Sequence, residues 1–260
     1  MRIFPRTPRA LRKWRGVDER VALAARALLD QTLAPMGWDK SVISGKSQDQ
    51  HGPVPWYTYA ARLALESCVA PGARVFEFGS GGSTLWWLSR ACAVTSVEHD
   101  PTWHAAFASE VPAGVSIDIR LRPASTQGPD QAAQLRAGSL ADRLKHPSIA
   151  DDAQYLAYAA EAFRAAGPFD VIVIDGVARN LCSLVALECL APDGLIVFDN
   201  AERAQYQPGH DALANAGLVR VDFWGPGPIN PYPWTTALYT RSLAALRHKP
   251  QAPAPAPNRV

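Results

Sequence analysis

Val75-Phe76-Glu77-Phe78-Gly79-Ser80-Gly81-Gly82-Ser83-Thr84 is the stretch on which the reading of this chain turns. Arg74 to Phe78 reads as a buried strand that runs straight into glycines at Gly79, Gly81 and Gly82. Ser83 to Arg90 reads as a helix, with Ser83 or Thr84 placed near its first turn. Glycines before a helix let a ligand approach the backbone closely and meet free N–H groups. A dinucleotide fingerprint requires glycine at its first, third and sixth positions. Here those positions are Gly79, Gly81 and Thr84, so the third glycine is missing. Glu77 stands just before the loop. Its carboxylate suits a cation such as an amino group better than a pyrophosphate.

Downstream, strands and helices alternate. Ala93–Val97 is a second strand ending at Glu98-His99-Asp100, and Pro101 suits the first turn of a helix. Val115, Ile117, Ile119 and Leu121 alternate as a third strand. Residues 122–152 show no clear period. Tyr155 to Ala166 is helical. Phe169–Ile174 is nearly all apolar, as strands covered on both faces are, and Asp175-Gly176 follows it. Leu181–Leu190 is helical, Leu195–Phe198 is another buried strand ending at Asp199-Asn200, and Leu218–Phe223 and Thr236–Tyr239 close the series. The pattern predicts an α/β fold: a Rossmann-like, doubly wound, mostly parallel seven-stranded sheet with a C-terminal antiparallel hairpin. Ligands of such sheets sit at the carboxyl ends of the strands. That rim carries Glu77, Gly79, Glu98, Asp175, Asp199 and Asn200.

Upstream, residues 1–55 are expected to form a basic arm, a helix over Val17–Leu33 and a loop over 38–55. The main domain then spans 56–245, and a Pro/Ala-rich tail spans 246–260. With 260 residues, 48% hydrophobic and 19% charged, the chain is long enough for one full core. A net charge of +2 argues against a nucleic-acid binder, although Arg2, Arg6, Arg9, Arg12, Lys13 and Arg15 are clustered. The chain contains no apolar run long enough for a membrane span. Cys68, Cys92, Cys182 and Cys189 form no CxxC pair, so buried free thiols in a reducing cytoplasm are expected. The sequence is compatible with a homodimer.

A ligand with a free amino-acid end, an adenosine and a sulfonium fits the glycine loop and its acidic neighbours. Val75 to Thr84 resembles the first motif of class I S-adenosylmethionine-dependent methyltransferases, and Val97-Glu98-His99-Asp100 resembles their second. The resemblance covers roughly residues 56 to 240. It implies a methyltransferase that binds S-adenosyl-L-methionine through Glu77, Gly79, Ser80, Gly81, Ser83, Thr84, Glu98 and His99. Glu98 would take the ribose hydroxyls and His99 would flank them. Many members carry an acidic residue after the third strand. Here that place reads Arg120-Leu121-Arg122-Pro123.

Gly194-Leu195-Ile196-Val197-Phe198-Asp199-Asn200 resembles a segment of metal-dependent, catechol-type O-methyltransferases, and Asp175 matches their first metal ligand. The resemblance implies Asp175, Asp199 and Asn200 around Mg²⁺, or Mn²⁺ or Ca²⁺, activating a hydroxyl of a small-molecule acceptor. These enzymes carry a lysine three residues after the first aspartate. Here that residue is Ala178, followed by Arg179. Arginine stays protonated, so Arg179 is expected to hold an anionic group of the acceptor or an oxyanion. Base work falls to Asp175, a metal-bound water or His51. A turn or cap is the competing account of Asp199-Asn200.

Pro53 to Tyr59 precedes the first strand, and Trp56 or Tyr57 is expected to close the donor pocket. Trp86 and Trp87 are expected to pack. Gly225 to Trp234 is expected to wall the acceptor side. Both aromatic segments resemble those of bacterial methyltransferase-like proteins. His104, His146, His210 and His248 are expected at the surface. Two other readings stay open: a nicotinamide-dependent oxidoreductase, and a binding protein that keeps the pocket without catalysis.

Overall fold

The computed structural model describes residues 19–112, 115, 117–124, 131–144, 151–165 and 167–249. The basic arm up to residue 18, the Pro/Ala tail from Pro250 onward and His146 lie outside them, while 246–249 are described. Helix α1 (Glu19–Leu28) runs on as a π-helical turn over Leu29–Leu33. The stretch expected as a loop is structured. Helix α2 (Trp38–Ser44) leads into a small hairpin of β1 (Gln48–Asp49) and β2 (Gly52–Pro53). Ser41 ties the two together: its hydroxyl donates to Gln48 O and accepts from Gln48 N. Gly- and Ser-rich composition hid this helix because the bonds that hold it are side chain to backbone.

The main sheet follows: α3 (Tyr59–Cys68), β3 (Arg74–Phe78), α4 (Gly82–Ser89), β4 (Ala93–Glu98), α5 (Pro101–Glu110) and β5 (Asp118–Leu121). Helix α6 (Gln131–Leu144) lies in the segment expected to be irregular. Its apolar contacts are alanines and a leucine, Ala133, Ala137 and Leu140, all buried, so its period is faint in the sequence. Short helices α7 (Leu156–Ala159) and α8 (Glu161–Arg164) precede β6 (Phe169–Ile174). Then come α9 (Arg179–Cys189), β7 (Leu190–Phe198), α10 (Gln207–Asn215), β8 (Val219–Gly225) and β9 (Trp234–Thr240).

The strand order is β5-β4-β3-β6-β7-β9-β8. Strands β3 to β7 pair in parallel, and β9 inserts antiparallel between β7 and β8. The chain winds outward from β3 to β5 and then returns to β6 beside β3. This reversal opens a crevice at the carboxyl ends of β3 and β6, where ligands of open α/β sheets bind. A dinucleotide sheet continues parallel in the order 3-2-1-4-5-6. The inserted β9 sets this fold apart and gives a Rossmann-like, mostly parallel seven-stranded sheet closed by a C-terminal antiparallel pair, as the sequence pattern predicts.

Side-chain alternation along the parallel strands fills two cores. Phe76, Phe78, Ile172, Ile174, Ile196 and Phe198 face α6 and α9. Val75, Val171, Val173 and Leu195 face α3 and α4 with Leu65 and Trp87. Each fully buried side chain of this size contributes roughly 1.5–3 kcal/mol over its exposed state. Among the described residues no helix is long and apolar enough to cross a membrane. All four cysteines are buried and free. His210, expected at the surface, is buried with Nδ1 2.8 Å from Tyr239 Oη and Nε2 3.1 Å from Ala201 O.

Candidate active site

Strand register aligns the rim. Phe78 pairs with Val97 and Ile174, and Ile174 pairs with Phe198, so Gly79, Glu98, Asp175 and Asp199 leave the sheet at one level. The loops touch there. Gly79 has φ +102°, and a Cβ on it would fall 3.1 Å from Gly176. On Gly176 a Cβ would fall 2.1 Å from Tyr158 Oη and 3.0 Å from Phe78 O. Only glycine fits either place.

A cavity of about 560 Å³ runs along this rim. The glycine loop (Gly79 to Ser83), Glu98 to Asp100, and Asp175-Gly176 line one side. The segment Gly45 to Gln48, with Pro53, Val54 and Trp56, covers the loop from above. It sits so close that a Cβ on Gly82 would fall 2.8 Å from Val54 O. Trp103 and Phe107 of α5 and Ile229 complete the wall. Lys46 Nζ meets Glu110 Oε1 at 2.7 Å across the mouth.

Glu98 is the anchor of the donor side. Its Oε2 accepts from Ser80 N (3.1 Å) and Ser80 Oγ (3.2 Å). Its Oε1 accepts from His99 N (2.7 Å) and Asp100 N (3.0 Å), and lies 2.8 Å from His99 Nδ1. Burial pushes this carboxyl up, but the bonds from His99, Asp100 and Ser80 outweigh it and bring it down to about 2. Asp100 caps α5 by accepting from Thr102 N and Trp103 N, and Pro101 takes the first turn as expected. Trp103, which the sequence reading did not single out, donates from Nε1 to Ser80 O at 2.7 Å. An aromatic one turn into the helix after Glu98-His99-Asp100 was the available signal.

Two residues expected on the ligand lie behind the loop. Thr84 is fully buried, and its hydroxyl accepts from Gly81 N at 3.0 Å. It fills the helix start where a dinucleotide loop needs glycine. Glu77 is fully buried and accepts from Ser96 Oγ at 2.8 Å, while its Oε1 has no partner among the described residues. Burial raises its carboxyl to about 7 against the hydroxyls of Thr84, Ser96 and Ser83. Neither lines the cavity.

The acceptor side is built around Asp175. Arg179, buried on α9, donates to Gly176 O (2.9 Å), Asp175 O (2.8 Å), Asp175 Oδ1 (3.1 Å) and Asp199 O. Its guanidinium stacks over Tyr206 with Cζ 5.1 Å from the ring centre. It therefore fastens the β6 and β7 loops and orients Asp175, and it does not line the cavity as the expected acceptor-binding arginine would. Asp199 is buried, and its Oδ1 accepts from Trp234 Nε1 (3.0 Å) and Thr236 Oγ1 (2.5 Å). Burial, then the nearby Asp175 charge, pushes its carboxyl up. Asn200 takes φ +51° in the turn after β7. Of the three expected metal ligands only Asp175 reaches the cavity. No group of three His, Cys, Asp or Glu side chains with metal-site spacing occurs among the described residues. The donor set does not fit a divalent cation.

Tyr57 is fully buried and Trp56 is 44% exposed in the cavity wall. His51 is exposed and off the cavity. Trp86 and Trp87 are buried in packing. Gly227 lets the 225–234 segment pack on Trp234, and Ile229 projects to the cavity with φ +68°, a strained value for a β-branched residue.

No protein-family model matches the sequence, and neither does any curated protein sequence. Among solved structures, a precorrin-6y C5,15-methyltransferase from Geobacter metallireducens is similar at 11% identity. The match covers 69% of this chain and 86% of that one, with a TM-score of 0.46. A methyltransferase-like protein from Silicibacter pomeroyi is similar at 21% identity, covering 78% and 92%, with a TM-score of 0.41. Aeropyrum pernix fibrillarin, with natively bound S-adenosyl-L-methionine, is similar at 13% identity, covering 68% and 72%, with a TM-score of 0.41.

Proposed function

We propose that this chain binds S-adenosylmethionine along the rim from Glu98 to Asp175 and transfers its methyl group to a small acceptor. The observation that carries this is the cavity itself, whose glycine loop, Glu98 and Asp175 share one wall under a lid bearing Trp56. Its volume, about 560 Å³, lies within the range of small-molecule sites. The bound donor supplies an electrophilic methyl group on a sulfonium.

The residues divide the work. Gly79, Ser80, Gly81 and Ser83 present backbone and hydroxyl groups to the amino-acid end. Glu98 takes the ribose hydroxyls in place of the Ser80 hydroxyl, and His99 flanks them. Glu77 and Thr84 support the loop from behind. Trp56 closes the cavity shared by donor and acceptor and excludes water. Asp175 faces the acceptor and Arg179 holds it in position. Of the ligands for metal-assisted O-methylation implied by the motif resemblance, only Asp175 lines the cavity, and the transfer proceeds without a metal. The catalytic unit takes in the segment from Gly45, because that segment lines the cavity.

Calorimetric titration with S-adenosylhomocysteine and with NAD tests the reading. Micromolar binding of S-adenosylhomocysteine and none of NAD is the expected result. The reverse order, or no binding of S-adenosylhomocysteine, overturns it.

A further inference from the structure

We propose that the acceptor is an organic amine, recognised as a cation between the Asp175 carboxylate and the Trp56 indole; this rests on the donor reading above. Charge along the cavity is the first argument. Glu98, Asp100, Glu110 and Asp175 line it, against Lys46 as the lining lysine or arginine. Lys46 is paired with Glu110. Glu98 is taken up by Ser80, His99 and Asp100, and Asp100 caps α5. Asp175 is the carboxylate left facing the acceptor, with 27% of its side chain exposed. The cation that orients it, Arg179, turns its donors to backbone carbonyls and meets only Oδ1 of the carboxylate. Among the described lining residues, an acceptor carrying a carboxylate or phosphate finds no lysine or arginine other than the paired Lys46.

Trp56 is the second argument. Trp56 is 44% exposed and lines the same cavity, and an indole face attracts an ammonium group. Val54 and Ile229 offer apolar contact for a carbon skeleton. Carboxylate, indole and apolar wall together select a hydrophobic amine.

The chemistry balances without a metal. The bound ammonium gives one proton to the Asp175 carboxylate. The freed nitrogen lone pair forms the N–C bond to the methyl carbon as the C–S bond breaks. The C–S electron pair stays on sulfur, leaving a neutral thioether. The product leaves as an N-methylammonium ion, and Asp175 returns its proton to solvent.

The test titrates the protein saturated with S-adenosylhomocysteine with benzylamine, benzyl alcohol and benzoate at pH 7.5. Benzylamine binds at least about tenfold tighter than either. Asp175→Asn removes the preference. Trp56→Leu weakens benzylamine about fivefold and Trp56→Phe restores most of it; this exposed position keeps the test independent of any folding defect at Asp175. Equal binding of the three probes, tighter benzoate, or no benzylamine binding overturns the amine assignment while the donor reading stands. Failure of S-adenosylhomocysteine to bind overturns both.

Discussion

Ser80 donates both its amide and its hydroxyl to Oε2 of Glu98, at 3.1 and 3.2 Å, which ties the glycine loop to the end of β4. The carboxylate is worth most when ionised. Its folded value, about 2, lies below the ordinary 4.5. Its contribution is therefore present above pH 4.5 and is lost as the pH falls toward 2. Glu98→Gln is expected to cost on the order of 3 kcal/mol at pH 7 in urea unfolding. The gap from the wild type closes in strong acid. A gap that does not change with pH would show that the charge is not its source. The same variant weakens S-adenosylhomocysteine binding at least about tenfold, the loss of a charged hydrogen-bond partner.

Arg179 bridges the carbonyls of Asp175, Gly176 and Asp199. Arg179→Met leaves these acceptors and the Asp175 carboxylate without their donor inside the protein. The expected loss is about 3–5 kcal/mol. Arg179→Lys does not rescue it, because an ammonium lacks the planar fork that reaches both loops. Urea midpoints close to wild type would contradict the clamp.

Two glycines separate folding from binding. Gly176→Ala places a methyl 2.1 Å from Tyr158 Oη and 3.0 Å from Phe78 O, so it costs at least about 2 kcal/mol in thermal unfolding. At Gly81 the nearest atom to a Cβ is a ring carbon of Trp103 at 3.6 Å. Gly81→Ala therefore folds within about 0.5 kcal/mol of wild type. It weakens S-adenosylhomocysteine binding, because the methyl projects where the ligand meets the loop.

His210 is neutral in the fold. Burial, with Arg220 nearby, lowers it from 6.5 to about 4. The unfolded chain binds the proton more readily, so stability is full above pH 6.5 and falls as the pH drops toward 4. His210→Phe lowers stability at pH 7 by removing the ring that bonds Tyr239 Oη and Ala201 O, and it flattens the profile between pH 6.5 and 4. An unchanged profile in that window would exclude His210 as its source.

Chelation separates the two accounts of Asp199. Its Oδ1 is already filled by Trp234 and Thr236. Exhaustive treatment with EDTA is expected to leave S-adenosylhomocysteine affinity and thermal midpoint unchanged. Recovery of a lost midpoint by Mg²⁺ would restore the metal reading.

The alternation of apolar strands with helices was legible because strands covered on both faces read as continuous apolar runs. Phe169–Ile174 and Leu195–Phe198 show this directly. Helices α2 and α6 were not legible. One is held by Ser41 bonding to Gln48, and the other packs through alanines, so neither leaves an apolar period. His210 was missed for a related reason: its partner Tyr239 is distant in sequence. Lys46, Trp103, Phe107 and Ile229 enter the cavity only through the packing of their segments.

The residue order by itself determined the sheet, the glycine loop and the acidic rim, because each depends on local pattern: period, turn residues and strand ends. The direction each rim side chain faces was decided by tertiary structure alone. Glu77 and Glu98 are both strand carboxylates in the sequence. One is shut behind the loop and raised to about 7, while the other is held by four hydrogen bonds and lowered to about 2. Asp175 and Asp199 divide in the same way, one open to the cavity and one closed by Trp234 and Thr236. A carboxylate's chemistry depends on its desolvation and its hydrogen-bond donors. Those donors come from segments that only the folded chain brings together.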